Sequence, residues 1–156
     1  MRVTRRRGLM LRLDPGEDQL LGTLFGDLLE LLAEATPGED ADPVIARLYP
    51  DAYGDAGASE EFRALTVTSQ RDERAARIRA CAREVAEHKP DIALDDEAAD
   101  RWIRVLNDLR LALGTRLGIS DEWDHGVDPD DPQQLPQATY VWLTGAQDLL
   151  VRTLMR

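Results

Sequence analysis

The sequence predicts a mainly α-helical fold: a helical domain of five or six helices with a short N-terminal β-ribbon. Three observations predict it. Apolar residues recur at spacings of three and four over long windows, 20–32, 102–117 and 140–154. The helix-start pair Asp-Pro occurs at Asp14-Pro15 and again at Asp42-Pro43. At the start, Leu9, Leu11 and Leu13 alternate with Met10 and Arg12, which reads as extended structure. With 156 residues, no internal repeat and no linker-like stretch, residues 1–156 are expected to form one domain that buries its own core.

Residues 1–13 form the basic ribbon. Gly8 can turn the leucine-bearing segment back toward Val3 to Arg5, and two such strands are marginal in water, so their leucine face needs helices to lean on. Asp14 as N-cap, Pro15 at the first helical position and Glu17 at the capping-box position then start a helix over 15–35, which Thr36-Pro37-Gly38 ends. Asp42-Pro43 starts a short helix through Leu48, limited by Pro50. Residues 51–58 read as a loop. Ser59 with Glu60 and Glu61 caps the next helix, which carries Phe62 and Leu65. Thr66-Val67-Thr68 is β-branched and Ser69 to Asp72 offers a second cap, so the stretch to His88 reads equally as one helix or two. The most apolar helix carries Trp102, Val105, Leu106, Leu109, Leu113 and Leu117, as expected of a central element, and stops at Gly118. Residues 120–136 are an acidic, proline-bearing loop. A final helix runs from about Pro136 through Tyr140, Trp142, Leu143, Ala146 and Leu150 to the end.

The formal net charge of −11 argues against general attraction to phosphate backbones. Its distribution is uneven, because Arg2, Arg5, Arg6, Arg7 and Arg12 precede the first acid. Arg5, Arg6 and Arg7 are therefore candidate contact residues, either as a phosphate-binding arm or as a strand edge kept from aggregating by its charge. A single cysteine, Cys81, excludes an intramolecular disulfide and zinc spacing, and it suits a reducing compartment. No signal-peptide-like or membrane-spanning apolar run occurs, so a cytoplasmic chain without a membrane partner is expected.

Cys81 shares one helical face with Ile78, Ala82 and Val85, which reads as a small buried hydrophobe, not a nucleophile. His88 and His125 have no His or Cys neighbour at ligand spacing. The acidic loop does not follow an EF-hand pattern, so neither a metal nor a cofactor is expected. No nucleophile elbow, phosphate loop or H-E-x-x-H is present. The most distinctive stretch is Leu106 to Gly118. Asn107, Arg110 and Gly114 fall on one side of that helix, a glycine admitting close backbone approach beside a polar pair that can fix register. They are candidate interaction residues, at an internal helix contact or at a subunit interface.

Three pieces, the arginine-rich start leading to Leu11-Arg12-Leu13-Asp14-Pro15, the Leu106 to Gly118 segment, and Trp142-Leu143-Thr144, resemble a family of small actinobacterial proteins catalogued as a domain of unknown function, which includes an oxidative-stress regulator. The resemblance implies a non-enzymatic regulator in which oxidation of a cysteine pair controls association with a stress sigma factor. Cys81 has Arg77 four positions before it and Val85 four after, and no second cysteine exists, so that intramolecular switch does not carry over.

The leading reading is a non-enzymatic helical protein-interaction module of the transcription-associated, stress-regulator kind, with another protein such as a sigma factor as partner. A DNA-binding regulator using the Arg5 to Arg7 arm is the alternative, and an enzyme with an unrecognised site is the third. Helices as apolar as 20–32, 102–117 and 140–155 in so short a chain also predict leftover apolar surface and a homodimer.

Overall fold

A computed structural model describes residues 1–5, 8–34, 42–50, 57, 59–120, 123, 126–128 and 130–156. The described residues form a mainly helical fold with one small antiparallel sheet: β1 (Arg2–Arg5), β2 (Leu9–Arg12), α1 (Glu17–Glu34), α2 (Pro43–Leu48), α3 (Glu60–His88), β3 (Asp91–Leu94), α4 (Asp96–Leu117), a 3-10 turn (Pro132–Gln134) and α5 (Leu135–Leu154).

The ribbon has a third strand. β3 pairs with β2 in the order β1-β2-β3, with Leu11 opposite Val3 on one side and Ile92 on the other. Opposed residues share a face, so Leu9, Leu11, Ile92 and Leu94 all turn inward and are buried. The sheet thus finds its stability by packing on helices. At the outer face Arg12 pairs across the strands with Asp91 at 3.1 Å.

The start of α1 differs from the expected cap. Pro15 and Gly16 form a turn, with Gly16 at φ +89, and the helix begins at Glu17 instead of Pro15. The reason is that the Asp14 carboxylate is drawn away, to Arg2 at 2.7 Å and the Met1 amine at 3.1 Å. The Arg2 hydrogen bond and the Met1 amine hold its pKa below the usual carboxylate range. Half of the capping box survives, for the Asp14 backbone N–H donates to Glu17 Oε2 at 2.8 Å. The short helix 43–48 forms as read, with Val44 N–H donating to Asp42 Oδ1 at 2.8 Å.

Residues 60–88 are one continuous helix. Thr66 satisfies its hydroxyl on the Phe62 carbonyl at 2.9 Å while Val67 is buried, so packing outweighs the weak helix propensity of the β-branched run. α4 begins six residues before Trp102, capped by Asp95, whose carboxylate accepts from Ala98 N–H at 2.7 Å. It is the central helix and touches α1, α2, α3, α5 and β3. Trp102 meets Phe25 of α1 edge-on at 6.2 Å, and Leu143 and Leu150 of α5 complete the core. Gly118 ends α4 in the left-handed conformation at φ +64. No helix of the described residues is long and apolar enough to cross a membrane.

Candidate functional site

Gly114 is buried where α5 crosses α4. A Cβ placed there would stand 2.9 Å from Tyr140 Cε2, so glycine is what lets the Tyr140 ring lie across the helix. Trp123 packs edge-on against the same ring at 5.7 Å, a second contact that holds it. One turn earlier, Arg110 Nη2 donates to Asn107 Oδ1 at 3.2 Å. Arg110 Nε is buried and has no hydrogen-bond partner among the described residues. Beside this trio lies a cleft of about 680 Å³, walled by Arg47 of α2, Arg110, Thr115, Tyr140 and Ser120. The structure therefore brings together the three residues singled out on α4 and adds two the sequence did not mark, Arg47 and, as a polar wall, Tyr140. Their positions fall on three elements far apart in the chain, and no local spacing signals that.

Arg5 is not brought to this cleft. Arg5 ends β1, and its Nη1 donates to the Leu154 carbonyl in the last turn of α5 at 2.8 Å. A cation is favoured there by the helix dipole. Arg6 and Arg7 lie outside the described residues.

Two further clusters sit within the fold. Arg74 of α3 faces Asp108 of α4 at 3.3 Å, donates to the Leu48 carbonyl at 2.8 Å and lies 4.7 Å over the Tyr49 ring. Burial pushes the Asp108 carboxyl above the usual carboxylate range, and the neighbouring Arg74 and Arg77 offset that only in part. In the other cluster Glu84 accepts from Arg101 and from Trp102 Nε1, the latter at 2.7 Å. Trp142 is satisfied in the same way, donating to Glu17 Oε1 at 2.7 Å.

Cys81 is fully buried below the Glu84 cluster, and burial pushes its thiol up to about 12. Such a group is neither a thiolate nor accessible, so it fits the reading as a small core residue. Among the described residues no three His, Cys, Asp or Glu side chains gather as metal ligands. His125 lies outside the described residues, and His88 is exposed beside Glu87 at 3.8 Å.

The other feature of note is apolar. Phe62 and Leu65, in the first turns of α3, are 59% and 66% exposed and three residues apart, hence side by side on the helix surface.

The chain is similar to proteins named "Oxidative stress regulator AosR" in Mycobacterium bovis (strain ATCC BAA-935 / AF2122/97) and Mycobacterium tuberculosis (strain ATCC 25618 / H37Rv). Each is 29% identical to it over an alignment covering 99% of this chain and 86% of the relative. A Mycobacterium leprae (strain TN) relative is also 29% identical, over 90% of this chain and 80% of its own length. No solved structure matches the chain. Residues 1–154 match the family described as Domain of unknown function (DUF2017), and on that match the chain belongs to this family.

Proposed function

We propose that this chain is a non-enzymatic cytoplasmic regulator of stress responses that works as a single module by binding another protein, with the Phe62 and Leu65 end of α3 as its docking surface. The observation that carries the reading is similarity over 99% of the chain to proteins named oxidative stress regulators. The exposed pair adds a physical means. Two large apolar side chains held on a helix surface gain by being covered, and aromatic anchors of this sort dominate protein interfaces. A stress sigma factor is the partner class the resemblance implies, and the free chain is a homodimer. Because Cys81 is buried and solitary, the signal reaches this chain by a route other than an internal disulfide.

The test is capture from native lysate with the full chain, identification of the retained protein, and reconstitution from purified components. Binding that survives about 0.5 M salt and drops at least roughly tenfold in a Phe62→Asp, Leu65→Asp double variant supports the proposal. Loss of all specific binding in the wild type, or steeply salt-dependent binding to duplex DNA that vanishes when Arg5, Arg6 and Arg7 are replaced by Gln, would replace it with the nucleic-acid alternative or with none.

A further inference from the structure

We propose that the cleft between α2, α4 and α5 is a binding site for a small oxyanion, a phosphate- or carboxylate-bearing metabolite, held by Arg47 and Arg110. Four arginines stand on α4. Arg101, Arg104 and Arg116 each face a carboxylate, of Glu84, Asp100 and Asp42 respectively. Arg110 faces none among the described residues; its hydrogen bond goes to the neutral amide oxygen of Asn107. Across the cleft, Arg47 likewise makes no ion pair among the described residues. Two guanidiniums without an ion pair among the described residues thus line one cleft. A half-buried guanidinium without a counter-charge is costly, and an anion in the cleft removes that cost.

The wall is also prepared for recognition. Packing over Nε and the Asn107 hydrogen bond hold the Arg110 head in place, so little freedom is lost when a ligand is gripped. The Tyr140 ring, in contact with both Gly114 and Trp123, gives a side wall, and Leu111 and Ile119 supply apolar surface for the rest of a ligand. The volume of about 680 Å³ lies within the range of small-molecule sites. A nucleic-acid strand is disfavoured, because a long polyanion would lie against the acidic body, whereas a small anion responds only to charges within about 8 Å.

The experiment titrates the full chain, labelled with ¹⁵N, with inorganic phosphate and separately with citrate at fixed ionic strength, chloride serving as the control. The readout is the Nε–Hε resonance of Arg110 and the amides of Thr115 and Ser120. A saturable shift with phosphate or citrate in the range of about 1 mM or tighter, absent with chloride, supports the site, and the probe that saturates first tells the phosphate source from the carboxylate one. Arg47→Gln, which alters an exposed side chain and leaves the core untouched, is expected to weaken that binding roughly tenfold. Arg110→Lys keeps the charge but loses the planar fork, and should weaken it as well. Unsaturated shifts up to tens of millimolar, equal shifts with chloride, or identical affinity in Arg47→Gln would each overturn the proposal.

Discussion

Single side chains set the sharpest tests. The Cys81 thiol rises from its ordinary 9.0 to about 12 because burial disfavours the thiolate. A group whose folded pKa is raised contributes stability that is complete below the unfolded value and is lost as pH climbs through the folded one. The folded chain should therefore lose on the order of 1 kcal/mol per pH unit between about 9 and 12 through this group. Cys81→Ala should remove that part of the alkaline slope in urea titrations, and an unchanged slope would show the thiol to be exposed to ionisation when folded. Native-state labelling with a thiol reagent should stay near zero until the chain unfolds, whatever the oxidant history. Gly114 offers a second test. Gly114→Ala gains about 1 kcal/mol of helix propensity but drives a methyl into the Tyr140 ring, an overpacking that costs about 1–3 kcal/mol. The net expectation is a modest destabilisation accompanied by changed Trp123 fluorescence, both relieved when Tyr140 is also replaced by Leu.

Among the elements, α2 is short and packs on α4, so its anchors are measurable. Asp42 caps it through Val44 and reaches Arg116 at the end of α4 with its second oxygen at 2.6 Å. Desolvation raises the Asp42 pKa, but the Arg116 hydrogen bond and the Val44 amide outweigh it and leave the group below the ordinary carboxylate value of 3.8. Its contribution is thus present above pH 3.8 and is lost as pH falls through the lowered pKa. Asp42→Ala should cost about 1 kcal/mol near neutrality, and Asp42→Asn, which keeps a capping oxygen, a few tenths, with both differences shrinking toward pH 3 in denaturant melts. The same helix shows what the chain discloses in advance. Asp-Pro followed by Val, Ile and Leu specifies its own start and buried face, and the structure agrees residue for residue. β3 was invisible for the opposite reason: Asp91 to Leu94 holds only two large apolar residues, Ile92 and Leu94, and its partner strand lies some eighty residues upstream. The cleft with Arg47 and Arg110 was hidden likewise, since convergence of separate elements leaves no mark on local spacing. Whether residues 60–88 made one helix or two depended on burial of Val67, a tertiary fact.

At the scale of the whole molecule, leftover apolar helix surface bears on assembly. A homodimer formed by apolar burial should give a mass near twice 17.4 kDa by light scattering at high salt, with dissociation only on dilution. A mass that stays at 17.4 kDa at high micromolar concentration would refute it, and dissociation on adding salt would assign the interface to charge. One feature of the sheet governs how the molecule is made. Its middle strand, β2, is synthesised long before β3, and a lone hairpin is marginal in water. At about 5–20 residues per second on the ribosome, the hairpin waits several seconds or more for the strand that completes it. During that interval Leu9 and Leu11 lack the third strand, and charged residues beside a strand edge oppose its pairing with other chains. If the basic residues beside the hairpin guard it during translation, replacing Arg2, Arg5 and Arg12 by Thr should lower soluble yield far more than it lowers the melting temperature of the protein that does fold.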